Sequence, residues 1–323
     1  MRVHCPVAFC YVTPPYISLS ITPTTPGCCA LSTVRDLITS THILDIIMTT
    51  TPNTIFDARH LQALAREHRQ TYATNHPFPH IVIDNFLPED VAERILSIFP
   101  SPKGSKWEEY DRKHEVKLQL SDDQRMDPYL REVLYQFNSS VVVNFLEELT
   151  GIDGLIPDPH FEGGGLHQIE PGGYLDVHVD FNFHHRLKLD RRLNLILYLN
   201  PDWKDEYNGH LELWNTDMTE CVQRIAPVFN RCVVFSTTDF SYHGHPDVLR
   251  SPDGVTRKSL ALYYYSNGRP AEERSDAHST VFQTRPGENS TAKVSGSRRM
   301  KRTLKRFIPP VVIDAVAAIR RKK

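Results

Sequence analysis

The chain has 323 residues, 40% of them hydrophobic and 24% charged. That balance excludes a wholly disordered or collagen-like chain. No apolar run approaches the 18 residues of a spanning helix, and six cysteines are too few for a disulfide scaffold at this length. The net charge of −2 averages unlike regions: Lys293 to Lys323 carries 11 Lys and Arg against one acid, Asp314, so the rest of the chain is acidic.

Residues 1–47 hold four of the six cysteines (Cys5, Cys10, Cys28, Cys29) and few charges. Pro6 and Pro14 interrupt the apolar run that a secretory signal needs. The paired CxxC spacing of a zinc module is missing. This segment is expected to be disordered, or to precede a natural start at Met48. Residues 48–150 read as a helical support region. Phe56 to Tyr72 carries Leu61, Leu64 and Ala65 at helical spacing. His80 to Phe86 reads as a short strand, and Pro88 with acidic residues opens a helix to about Phe99. Trp107 to Leu120, mixed charged and aromatic, reads as a substrate-side flap. Met126 to Thr150 reads as mostly helical.

From 151 to 268 the hydrophobic period is two. Tyr174 to Phe181 alternates, with Tyr174, Asp176, His178 and Asp180 on one face. Leu193, Leu195, Leu197 and Leu199 oppose Asn194, Ile196 and Tyr198. Further strands are expected at Gly209–Trp214, Gln223–Pro227, Arg231–Ser236 and Lys258–Tyr265. Regular short strands indicate a sandwich or barrel. Glu162 and the three glycines after it read as a turn, because no Lys-Ser/Thr follows to make a phosphate loop. Residues 269–323 form a basic tail, with a short helix expected at 311–321. Its charge suits an acidic partner, nucleic acid or an anionic membrane surface.

Chemistry concentrates on the second half. His178 and Asp180 share a strand face and can bind one metal ion together. His243 or His245 offers a third ligand. Two histidines and a carboxylate favour non-haem Fe(II), although a zinc hydrolase uses the same residue types. Arg257 and Ser259 share a face of the last strand, where a buried Arg would clamp a carboxylate.

Residues 160–268 resemble the double-stranded β-helix (jelly-roll) core of Fe(II)/2-oxoglutarate-dependent dioxygenases, in the prolyl 4-hydroxylase-like branch. The resemblance rests on His178-Val-Asp180, the Asn194–Trp203 and Gly209–Trp214 segments, Tyr242-His243-Gly-His-Pro246 and Arg257–Tyr265, in family order. It implies an α+β fold in which a supporting N-terminal helical layer backs the β-helix core. It further implies His178, Asp180 and His243 as iron ligands, with Arg257, Ser259 and Tyr198 holding 2-oxoglutarate. His245 would stand behind the ligands, and Asn182 and Arg192 are candidates to touch substrate. The implied reaction uses O2 to hydroxylate an unactivated C–H while 2-oxoglutarate is decarboxylated to succinate. Ascorbate would serve as reductant. Substrate classes are a protein prolyl residue, a free amino acid or another small molecule. His184 and His185 are expected in a solvated loop, and Cys221 and Cys232 as reduced core residues. The competing functions are a non-catalytic metal-binding β-helix domain and a zinc-dependent hydrolase. The cytoplasm is the expected compartment.

Overall fold

The computed structural model describes residues 54–103 and 106–288. The readings for 1–47, the basic cluster from Lys293 and the helix at 311–321 lie outside the described residues.

Among the described residues, four helices precede the main run of strands. Helix α1 (Ala58–Thr74) starts where Asp57 accepts a hydrogen bond from the His60 amide. Strand β1 (His80–Ile83) and helix α2 (Glu89–Ile98) follow as the sequence indicates. A hairpin of β2 (Glu108–Asp111) and β3 (Glu115–Leu120) comes next. The segment expected as one helix breaks into α3 (Pro128–Phe137) and α4 (Ser140–Thr150). Asn138 and Ser139 leave the helical path there, and Asn138 Nδ2 donates to the Asp158 carbonyl. Asp127 caps α3 with Pro128 in its first turn, and α4 stops at Gly151 in the left-handed region.

The remaining strands are β4 (Ile156–Pro157), β5 (Gly165–Ile169), β6 (Tyr174–Val179), β7 (Phe183–His184), β8 (Leu189–Tyr198), β9 (Leu211–Trp214), β10 (Cys221–Ile225), β11 (Arg231–Ser236), β12 (His243–His245), β13 (Arg257–Ser266) and β14 (Val281–Phe282). All pairings are antiparallel, in the order β1-β11-β8-β13-β5-β3-β6-β12-β9-β10. The sheet curls into a double-stranded β-helix with a cavity between its two halves. Strand β3 is not a detached flap: it pairs with β5 at Leu118–Leu120 and with β6 at Glu115–Val116, joining the halves. The region before residue 151 thus contributes strands β1 and β3 to the sheet as well as helices.

The period-two pattern assigns the faces. Leu193, Leu195 and Leu197 on β8, with Leu260, Leu262 and Tyr264 on β13, pack into one core with the helices. Helix residues Leu61, Leu130, Phe137 and Phe145 belong to that core, all at most 2% exposed. Burying each such side chain is worth about 1.5–3 kcal/mol. The opposite face of β8 presents Asn194, Ile196 and Tyr198 to the cavity. The glycine run after Glu162 serves sheet packing. A Cβ on Gly165 would come within 2.3 Å of the Leu120 carbonyl oxygen, and its φ is +84°.

Two of the sheet's irregularities move residues between faces at the cavity. On β8 the register with β13 shifts between Tyr264↔Leu193 and Tyr265↔Arg191, leaving Arg192 as an extra residue. On β6 the register with β12 shifts between His178↔His243 and Leu175↔His245. Leu175 therefore lines the cavity together with His178, and the strict alternation read for Tyr174–Phe181 does not hold. Asp176 turns instead to His114 Nδ1, at 2.9 Å.

Candidate metal centre and active site

A cavity of about 500 Å³ lies between the two halves. On its wall, His178 and Asp180 from the end of β6 meet His243 from β12. Ligand-capable atoms of all three lie within 4.8 Å of one another, the sole such His/Cys/Asp/Glu group among the described residues. His178 Nε2 is 3.6 Å from Asp180 Oδ1, and His243 Nε2 is 3.4 Å from Asp180 Oδ2.

The backbone presets both rings. His178 Nδ1 faces the Asp176 carbonyl at 2.8 Å, and His243 Nδ1 faces the Ser241 carbonyl at 2.9 Å. Donation from Nδ1 leaves both Nε2 lone pairs free to bind a metal ion. Burial lowers the His243 pKa to about 4, so the ring stays neutral at physiological pH. Burial alone would raise Asp180, but Arg191, His243 and His178 hold its carboxyl well below the usual carboxylate range. The cluster thus offers two imidazole nitrogens and one ionised carboxylate. That donor set fits Fe(II).

Asp180 is held from behind. Asn194 Nδ2 donates to Asp180 Oδ2 at 2.7 Å, and Arg191 Nη2 lies 3.2 Å from the same oxygen. Asn194 Oδ1 accepts from Arg191 Nε and Nη2 at 3.1 and 2.6 Å. The Arg191 guanidinium sits 3.5 Å from the Tyr263 ring centre and 4.5 Å from that of Phe181. Arg191 and Asn194 carry no metal-ligand signature in the sequence, and only the strand register reveals them.

Arg257 and Tyr198 occupy the other end. Arg257 is 5% exposed, donates from Nε to the Gly209 carbonyl at 2.7 Å and from Nη2 to the Tyr198 hydroxyl at 3.2 Å. Among the described residues no carboxylate lies within ion-pair distance of it. Burial lowers its pKa, whereas it raises that of Tyr198. A buried cation lacking an anion is costly, and a carboxylate entering the cavity would satisfy it. Ser259 lines the cavity beside it, paired in register with Tyr198.

Other candidates fall elsewhere. His245 lines the cavity but stands outside the metal-ligand cluster. Arg192 does not face the cavity; it bonds Ser266 at 3.2 Å and Glu273 at 3.2 Å, because the bulge puts Arg191 inside. Asn182 also turns away, donating to Ser275 and to the Asp276 carbonyl. His184 is fully buried on β7, not in a solvated loop, and its Nε2 lies 3.5 Å from both Asp158 and Glu162. His185 is exposed, as expected. Cys232 is buried and Cys221 half-buried, and both are free.

Two parts of the chain join the cavity unforeseen or only partly foreseen. The β2–β3 hairpin supplies Tyr110, Arg112, Lys117 and Gln119. The segment after Arg269 returns, and β14 pairs with β6 so that Phe282 stands opposite His178. Its ring is 5.6 Å from the His178 ring and 4.8 Å from that of His114.

Residues 164–265 match the family model of the 2OG-Fe(II) oxygenase superfamily. The mouse prolyl 3-hydroxylase OGFOD1 is 27% identical over 204 residues, covering 58% of this chain and 33% of that protein. The Xenopus laevis prolyl 3-hydroxylase OGFOD1 is 25% identical over 199 residues, covering 58% and 35%. The chain thus spans about a third of the length of these curated relatives. A Trichoplax adhaerens prolyl hydroxylase, solved with a hypoxia inducible factor peptide, aligns with a TM-score of 0.48 and 17% identity. That alignment covers 64% of this chain and 91% of that one. His178, Asp180, His243 and Arg257 all lie inside the segment that is similar to the 2OG-Fe(II) oxygenase superfamily, and the curated relatives that the chain resembles are prolyl hydroxylases.

Proposed function

We propose that this chain hydroxylates an unactivated C–H of a protein prolyl residue, using Fe(II), O2 and 2-oxoglutarate. The observation that carries the reading is one cavity holding both the His178–Asp180–His243 cluster and the carboxylate-free Arg257. His178 and His243 would bind iron through Nε2 and Asp180 through its carboxylate. Arg257 and the Tyr198 hydroxyl would receive the far carboxylate of 2-oxoglutarate, with Ser259 beside it. When bound, iron and 2-oxoglutarate supply the oxidising chemistry: one oxygen atom of O2 enters succinate as CO2 leaves, and the other enters the substrate as hydroxyl.

The chain's own residues do the rest. Asn194 and Arg191 fix the Asp180 carboxylate. The backbone carbonyls of Asp176 and Ser241 fix the two rings. Phe282, Tyr263 and Phe181 wall the site against water. The prolyl assignment draws on the curated relatives, whose names give prolyl residues as their target; a free amino acid or another small molecule is the competing class. Ascorbate would act as a reductant that restores oxidised iron. The free Cys221 and Cys232 suit a reducing compartment, here the cytoplasm. Among the described residues no helix is long and apolar enough to cross a membrane. Zinc hydrolysis does not require an anion clamp such as Arg257 beside the metal, which disfavours that alternative.

The first test adds Fe(II) and 2-oxoglutarate under argon and looks for the visible metal-to-ligand charge-transfer band. Wild type should form it and Asp180→Ala should not. Succinate release with prolyl peptides, and a peptide mass gain of one oxygen atom, then test the substrate. No band in wild type would remove the reading.

A further inference from the structure

One buried titratable side chain in the cavity has no part in the reaction as described. His243 and His245 flank Gly244 on β12, so both rings project to the same side, and both line the cavity. Their surroundings differ. His243 Nδ1 finds the Ser241 carbonyl, whereas His245 Nδ1 is sealed from solvent with no hydrogen-bond partner. The His245 residue is 5% exposed.

The backbone of β12 beside His245 is closely packed. A Cβ on Gly244 would come within 2.8 Å of the Asp176 carbonyl oxygen and 2.9 Å of that of Leu175. Strand β12 is therefore pressed onto β6, with His245 in register with Leu175. The neighbourhood is basic. Arg257 and Lys117 line the same cavity. The nearby acid Glu115 is engaged by Lys117 at 3.4 Å.

The two ring nitrogens of His245 are not equivalent, because Nδ1 is sealed without a partner while the residue lines the cavity. A sealed, orphaned N–H is the costlier state, so Nδ1 holds the lone pair and Nε2–H is the donor available to the cavity. An anionic oxygen is the partner that a donor among cations calls for.

We propose that His245 is a co-substrate-positioning residue, donating a hydrogen bond to a carboxylate oxygen of the bound 2-oxo diacid between the metal cluster and Arg257. This rests on the reading of the cavity as a 2-oxoglutarate site. His245 then adds to the affinity and orientation that Arg257 and Tyr198 provide.

The test titrates 2-oxoglutarate into the full-length chain in two ways. One reads the anaerobic Fe(II) charge-transfer band, and the other uses calorimetry on Mn(II)-loaded protein. The proteins compared are wild type, His245→Leu, His245→Val, His245→Gln and Arg257→Leu. The two apolar His245 variants should each weaken 2-oxoglutarate binding roughly tenfold. Metal affinity should not change, and His245→Gln should recover most of the loss. In turnover, KM for 2-oxoglutarate should rise while kcat holds. Should one apolar variant fail to fold, the other carries the test. Wild-type affinity in the apolar variants, with binding lost in Arg257→Leu, overturns the role of His245 alone. Wild-type affinity in Arg257→Leu, or no binding by wild type, overturns the site reading and the role of His245 with it.

Discussion

The two faces of strands β8 and β13 obey different rules. Toward the helices they present leucines and Tyr264, dry and interlocked with α1, α3 and α4. Toward the cavity the same strands present Arg191, Asn194, Tyr198, Arg257, Ser259 and Tyr263. The first face tolerates no voids, because interiors pack like crystals. The second deliberately retains groups whose burial costs free energy and which an anion or a metal ion would satisfy. Stability and chemistry thus reside on opposite sides of one sheet, and substitutions should separate them.

The largest effects belong to the cavity side. His178→Gln should abolish the charge-transfer band and turnover while leaving the urea midpoint of the metal-free protein near wild type. A matching loss of stability would break the division of labour. Arg257→Leu should weaken 2-oxoglutarate binding by roughly 10- to 150-fold, the worth of hydrogen bonds to a charged group, read in the same anaerobic titration. On the other face, Leu195→Ala should cost about 2–5 kcal/mol of unfolding free energy, measured by urea denaturation, with kinetic constants unchanged while the protein is folded. Asn194→Leu sharpens the comparison, because Asn194 only orients Asp180. It should lower Fe(II) affinity by about 10- to 100-fold in a competition with a coloured chelator.

The smallest effect concerns pH. His243, with its pKa near 4, His167, with its pKa near 3, and the strongly lowered His245 stay neutral in the folded protein where the unfolded chain binds protons. Below about 6.5 the unfolded state therefore takes up more protons, so stability falls as pH falls. Melting of the metal-free protein should shift down between pH 7.5 and pH 5.5, the range being chosen around the ordinary His value of about 6.5. No shift would mean that these rings are hydrated.

Much of this arrangement was legible in the sequence. The alternation of Leu193 to Leu199 sets the faces of β8, and the spacing of His178, Asp180, His243 and Arg257 brings those residues to one cavity. What escaped reading was register. Arg191 and Arg192 are neighbours of the same type, and a single extra residue on β8 places one in the cavity and the other against Ser266. No hydrophobic pattern distinguishes them. The β6 irregularity likewise exchanged Leu175 for Asp176 at the cavity wall. The short, polar β3 carried a weak strand signal because its partners, β5 and β6, come from residues far along the chain. His184 looked solvated because its burial depends on Asp158 and Tyr265 from distant segments.

The returning segment that ends in β14 has a consequence for where this domain stops. The family match closes at residue 265, yet Phe282 stands opposite His178 and Asn182 tethers Ser275 and Asp276. Further ties run from His278 to Asp239 at 3.0 Å and from Arg285 to Asp247 at 3.0 Å. A polypeptide shortened to the matched residues would keep every group of the metal cluster and the Arg257 clamp, but would open the wall beside His178 to water. For expression, truncation or fusion, the working end of the catalytic unit is therefore no earlier than Glu288.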